Sequence, residues 1–206
     1  MQLVLIRHAL PKRVDPGPVT DHTDHPPAPA DPALTPQGRA QAERLVGALA
    51  GEPVDALYTS TMRRAVQTAE PLAAARGLTP VPRPDLREFD DGRPEYVPVD
   101  QLAEADPDTW RRMRDGHLPG HVDAAAFTDR VCAGLEEIVG AHPGRSTVVV
   151  VAHAGVVNAY LATVLGTARP LPFPLDHVGV SRLVCARDGM RRVRTVNETG
   201  HVADLL

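Results

Sequence analysis

The stretch Leu3-Val4-Leu5-Ile6-Arg7-His8-Ala9 decides the fold. Four consecutive large aliphatics read as a strand buried on both faces, the kind found in a parallel sheet covered by helices. The run stops at an Arg-His pair, so both side chains arrive at the strand's carboxyl end. A second stretch repeats the device. Thr147-Val148-Val149-Val150-Val151-Ala152 runs into His153-Ala154-Gly155, and a helix follows through Val157, Tyr160, Leu161 and Val164 to Gly166. Buried strands alternating with amphipathic helices predict an α/β protein, a three-layer α/β/α sandwich with a mostly parallel central sheet and helices on both faces. In open sheets of this kind ligands collect at the carboxyl edge. A histidine there, beside a guanidinium that stays charged, can attack or hold an anionic group; the plainer reading of either one alone is a capped strand end.

A chain of 206 residues suits one domain, 1–206, with a full core. The formal net charge of -4 implies no general affinity for nucleic acid or an anionic membrane, so any anion site is local. Cys132 and Cys185 have no metal or redox spacing around them, and reduced buried thiols fit a cytoplasmic protein. The first apolar run is too short and lacks the basic flank of a signal peptide, and Val148 to Ala152 is far too short to span a bilayer. Aromatic residues make up only 3%, so packing must come mainly from aliphatic contacts between helices and sheet.

The segment 11–36 holds eight prolines and reads as a loop, long enough to be a lid or rim. Within it, Asp21-His22-Thr23-Asp24-His25 has no frame to fix a metal, and a solvated loop is favoured; His22 is a candidate extra phosphate donor. Thr35 then caps a helix with Pro36 at its first position, with Ala42, Leu45, Val46 and Leu49 inward and Gly51 as its stop. Val54 to Tyr58 reads as a second buried strand ending at Thr59-Ser60, and a helix from about Thr61 carries Arg63 and Arg64 in its first turn. Two cations at the positive end of a helix dipole are misplaced unless an anion sits there or a carboxylate such as Glu88 pairs one of them. Thr79 to Pro82 looks like a short strand. Glu88, between Leu86 and Phe89, is either a general acid in a partly apolar pocket or a surface carboxylate. Residues 94–122 contain two short helical pieces, Val99 to Ala105 and Pro107 to Asp115, and form a cap-like insertion. Asp123 caps a long helix with Phe127, Val131, Leu135 and Ile138 inward and Gly140 as its stop. Val178 to Ala186 and Met190 to Val196 read as a hairpin around Asp188-Gly189.

Arg7, His8, Arg64 and His153 therefore come from strand ends, with Glu88 from a nearby loop. Cations and a helix N-terminus around one imidazole describe a site for a dianionic phosphoryl group. Here the sequence resembles the histidine phosphatase superfamily, the phosphoglycerate mutase-like family. Its Arg-His-Gly hallmark appears as Arg7-His8-Ala9. Leu34-Thr35-Pro36-Gln37-Gly38-Arg39-Ala40-Gln41-Ala42 is similar to its Leu-Thr-x-x-Gly-x-x-Gln-Ala segment. Ser60 to Glu70 is similar to its second-arginine motif, in which Arg64 takes the phosphate-binding position. Glu88 matches the acid position, His153-Ala154-Gly155 the second histidine, and Asn197 through His201 the closing segment. Ala9 and Ala154 stand where the family usually has glycine, which fits if φ is negative at both.

The resemblance implies a phosphoglycerate mutase-like fold and a metal- and cofactor-independent phosphatase acting on a small phosphorylated molecule. His8 attacks phosphorus, while Arg7, Arg64, His153 and Ala154 hold the oxygens. Glu88 protonates the leaving alkoxide and then orients water, so activity favours mildly acidic to neutral pH. Two alternatives stand beside this one: a phosphoglycerate mutase using the same phosphohistidine, and a non-catalytic phospholigand-binding module. Mutases carry Thr and Asn after the first motif and close a tail over the site; here a proline-rich loop follows, and little chain remains after the last strand. Pairing of an apolar sheet edge into a homodimer is left open.

Overall fold

The computed structural model of the chain describes residues 1–15 and 28–206. His22 and His25, and the Asp21–His25 segment around them, lie outside the described residues. In chain order the elements are strand β1 (Gln2–Arg7), helix α1 (Pro36–Ala48), β2 (Ala56–Ser60), α2 (Arg63–Arg76) and β3 (Val81–Arg83). The short helices α3 (Val99–Ala105) and α4 (Pro107–Arg114) follow, then α5 (Ala124–Ala141), β4 (Thr147–Ala152) and α6 (Ala154–Leu165). Strands β5 (Val180–Cys185) and β6 (Arg191–Glu198) complete the sheet.

The strand order is β3-β2-β4-β1-β5-β6. The first four are parallel; β5 runs antiparallel to β1, and β6 antiparallel to β5. Because successive strand residues point to opposite faces, β1 and β4 divide between two cores. Leu3, Leu5, Val148 and Val150 pack with Phe127, Val131 and Leu135 of α5 and Val157 and Leu161 of α6. Val4, Ile6, Val149 and Val151 pack with Ala42 and Leu45 of α1 and Ala65, Ala69 and Leu72 of α2. The continuous aliphatic runs are thus explained: both faces of each strand are covered, and the expected three layers form.

Element boundaries moved where local signals were weak. The second strand ends at Ser60 as expected but starts at Ala56, not Val54, and α2 starts at Arg63 without a side-chain cap. Helix α1 ends at Ala48, before Gly51, whereas α5 continues through Gly140 to Ala141. A glycine inside a helix costs only about 1 kcal/mol and does not stop one by itself.

The segment leaving β1 is fixed on every side. The His8 amide donates to the Ala152 carbonyl at 2.9 Å and the Ala9 amide to Thr68 Oγ1 at 2.9 Å. The Leu10 amide donates to Gln41 Oε1 at 2.9 Å, and the Leu10 carbonyl accepts from both the amide and the hydroxyl of Thr35. Thr35 also caps α1, accepting from the Gly38 amide at 2.9 Å. Gly38 lies so close to Leu10 that a β-carbon there would overlap the Leu10 carbonyl oxygen. The Leu-Thr-x-x-Gly-x-x-Gln segment is therefore a clamp on the strand end that carries His8. Gly38→Ala is expected to destabilise the protein by about 1–3 kcal/mol, read as a lower denaturant midpoint, because backbone must move to admit one methyl.

Candidate active site

The carboxyl ends of β1, β2 and β4 converge, and with them Arg7, His8, Ser60 and His153. Helix α2 adds Arg64, and the loop after β3 adds Glu88 and Asp90. All five residues expected to act together are buried: Arg7 at 5%, His8 at 3%, Arg64 at 0%, Glu88 at 7% and His153 at 0% exposure.

His8 Nδ1 lies 2.8 Å from its neighbour's carbonyl, Ala9 O. A carbonyl can only accept, so Nδ1 carries the proton and Nε2 is left with its lone pair. Burial, and then the charges of Arg64 and other neighbours, push the His8 pKa well below the ordinary histidine value, so the ring is neutral near pH 7. The His8 and His153 rings meet edge to face at 5.1 Å between centroids.

Arg64 is the hub. Its Nε donates to His153 Nδ1 at 3.3 Å, and its Nη2 donates to both carboxylate oxygens of Asp90, at 2.7 and 3.0 Å. Its guanidinium carbon stands 4.7 Å from the centre of the Tyr96 ring. Its Nη1 is buried and has no hydrogen-bond partner. An orphaned charged donor at the bottom of a pocket is satisfied by an incoming oxyanion. His153 accepts from Arg64 through Nδ1, so Nε2 carries its proton and donates to Ser60 Oγ at 2.8 Å. Arg7 donates to the Leu175 carbonyl and, at 3.0 Å, to His177 Nε2. Burial, with Arg7 adding to it, holds the His177 pKa at about 2, leaving that nitrogen free to accept.

Glu88 lies against the N-terminus of α6. Its Oε2 accepts from the Gly155 amide at 2.8 Å and its Oε1 from the Phe89 amide at 3.1 Å. Burial, reinforced by the Asp90 charge, still pushes its pKa up to about 7. A β-carbon at Gly155 would collide with that carboxylate, which explains glycine in the His153-Ala154-Gly155 motif. Ala9 and Ala154 are absent from the left-handed φ region, so alanine is accommodated at both. Ala154 lines the same cavity as His8 and Arg64.

Of the two arginines at the start of α2, Arg64 enters the site while Arg63 is exposed, its amide bonded to Asp31. The carboxylate paired with Arg64 is Asp90 and not Glu88. Asp90, Ser60, Tyr96 and His177 were not assigned roles from sequence. Asp90 sits in the turn that follows Glu88, where no periodicity marks its direction, and Ser60 opens the second-arginine motif; Tyr96 and His177 sit in loops with no periodic frame. Among the described residues, no helix is long and apolar enough to cross a membrane.

This fold and this cluster of buried cations around a neutral imidazole define a class of oxyanion site, and comparison with known proteins places the chain. Residues 3–199 match the histidine phosphatase superfamily (branch 1), and the chain belongs to that family. It is 31% identical over 140 residues to phosphoserine phosphatase 1 of Hydrogenobacter thermophilus, covering 66% of each chain. It is 34% identical over 143 residues to the 2-carboxy-D-arabinitol-1-phosphatase of Triticum aestivum, covering 65% of this chain and 27% of that protein. These matches take in less than two thirds of the relatives' lengths. The fold is that of the phosphoserine phosphatase of Entamoeba histolytica, crystallised as an H9A mutant with phosphoserine: TM-score 0.71, 20% identity, 98% of each chain covered.

The orphaned Arg64 donor yields a binding prediction. Inorganic phosphate is expected to raise the melting temperature in a concentration-dependent way, by an amount equivalent to about 2.7 kcal/mol at a hundredfold excess over its Kd. Arg64→Lys keeps the charge but cannot serve His153, Asp90 and an oxyanion together, so calorimetry should find phosphate binding clearly weaker in that variant.

Proposed function

We propose that this protein is a phosphomonoesterase working through a phosphohistidine on His8, with residues 1–206 as one domain. The observation that carries this reading is the His8 tautomer: Nδ1 tied to the Ala9 carbonyl, Nε2 unprotonated, beside a buried guanidinium with an unsatisfied donor. His8 Nε2 attacks phosphorus, and the bond from phosphorus to the alkoxide oxygen breaks. Glu88, held near half-protonation at neutral pH, delivers its proton to that oxygen. As a carboxylate it then takes a proton from the water whose oxygen bonds to phosphorus as the phosphorus–nitrogen bond breaks, which restores His8 and releases phosphate. Arg7 and Arg64 balance the charge on the equatorial oxygens. His153 steadies Arg64 through Nδ1, and its Nε2 proton becomes a further donor when a phosphoryl oxygen replaces Ser60 as its acceptor. The two curated relatives named above, both phosphatases, support hydrolysis, and the substrate is a small phosphorylated molecule.

Phosphate release from p-nitrophenyl phosphate, measured with a chelator present, is expected to fall to background in His8→Ala; full activity there would remove the proposed nucleophile. With 3-phosphoglycerate and a bisphosphoglycerate primer, no rapid formation of 2-phosphoglycerate is expected. The profile of kcat/KM against pH should fall as pH rises through about 7, because ionised Glu88 cannot act as an acid. The His8 limb lies well below the ordinary histidine range, because its lowered pKa keeps the nucleophile neutral there. Glu88→Gln is expected to lower kcat about 10²–10⁴-fold and to flatten the alkaline fall.

A further inference from the structure

The cavity floored by His8 and Arg64 measures about 760 Å³. That is space for much more than a phosphoryl group with a three-carbon acid. The chain holds seven aromatic residues: one Trp, three Tyr and three Phe. Four of them line this one cavity: Phe89, Tyr96, Trp110 and Phe173. Phe89 and Phe173 also pack against the core behind the cavity, whereas Tyr96 and Trp110 lie outside the core clusters and belong to its wall. Leu102, Met113 and Leu171 extend the apolar wall away from the phosphate end.

Charge in the outer chamber is already matched within the protein. Arg93 bonds to Glu95, and Arg114 bonds to Asp115 while its guanidinium lies 5.0 Å from the Trp110 ring centre. Asp106 caps α4 by accepting from the Thr109 amide, and Asp176 accepts from Asn197. His121 stands at the exposed mouth. Among the described residues, the chamber beyond Arg7 and Arg64 thus has no arginine or lysine without a carboxylate partner. A second carboxylate or phosphate on the substrate would be desolvated there without a matching cation.

We propose that the substrate class is phosphomonoesters of uncharged alcohols bearing an aromatic ring system, with the ring seated among Trp110, Tyr96, Phe89 and Phe173. This rests on the phosphatase reading above and specifies what the same site takes. Stacking on such a platform selects flat rings, and the absence of a spare cation selects against small polyanionic esters.

The test uses the intact protein and three esters of unactivated primary alcohols: ethyl, benzyl and 2-naphthylmethyl phosphate, with phosphoserine as the charged comparator. Since the leaving groups differ little in basicity, differences in kcat/KM report recognition of the alcohol. The expected result is a rise of roughly tenfold or more from ethyl to 2-naphthylmethyl phosphate, carried mainly by KM, with phosphoserine below the aromatic esters. Trp110→Ala should collapse the ratio between the naphthylmethyl and ethyl esters, and Trp110→Phe should restore most of it. Trp110 is only partly buried, so neither variant is expected to unfold the protein. Equal kcat/KM for ethyl and naphthylmethyl esters, or phosphoserine ahead of both, would overturn the substrate class while leaving the phosphatase intact. No turnover of any ester would instead overturn the hydrolytic reading and this inference with it.

Discussion

A guanidinium with no exposed surface has to be held, and the way Arg64 is held organises the rest of the molecule. Burying a charge is tolerated only where other groups replace the water it loses. Asp90 replaces it on one side with two hydrogen bonds, His153 accepts on a second, and the Tyr96 ring covers a face. One donor is left over. Placing Arg64 there requires α2 to start immediately after β2, with its first turn aimed across the carboxyl edge of β4. The parallel order β2-β4-β1 provides that geometry. The arginine that conventional helix electrostatics would keep out of a first turn is the one the site is built around.

Burial first, and neighbouring charge second, set the protonation of its surroundings. His8 is buried, with Arg64, His153, Arg7 and His177 around it, and both the burial and those neighbours oppose a further positive charge. Its proton therefore stays on Nδ1 alone, where the Ala9 carbonyl holds it. Glu88 is affected in the other direction. It is close enough to Arg64 for some stabilisation, yet burial and Asp90 dominate and raise its pKa to about 7. Two groups with opposite shifts, an imidazole kept neutral and a carboxyl that titrates near neutral pH, meet in one cavity. Such divergence is what acid–base chemistry near neutral pH needs.

Scaffolding and chemistry share the same motifs. Gln41, Thr35 and Gly38 clamp the residues after His8, and Thr68, one helical turn after Arg64, bonds both the Ala9 amide and the Arg64 carbonyl. Gly155 leaves room for Glu88. At Ala9 and Ala154, where the family usually has glycine, backbone φ lies outside the left-handed region.

What the amino-acid order determined by itself is local in character. Aliphatic runs specify buried strands wherever they occur, because both faces must be covered. An abrupt change from such a run to Arg-His or His-Ala-Gly places the side chain at a sheet edge whatever the rest of the chain does. The three layers, the strand-end histidines, the Thr35 cap and the five converging residues were legible for that reason. Only the tertiary structure decided that Asp90 rather than Glu88 pairs with Arg64, that His177 takes Arg7, and that four of seven aromatics gather in one chamber. These contacts join loops distant in sequence, with no periodicity to mark which way a side chain faces. The protonation states belong with them, since desolvation and neighbouring charge exist only once the chain has closed around the site.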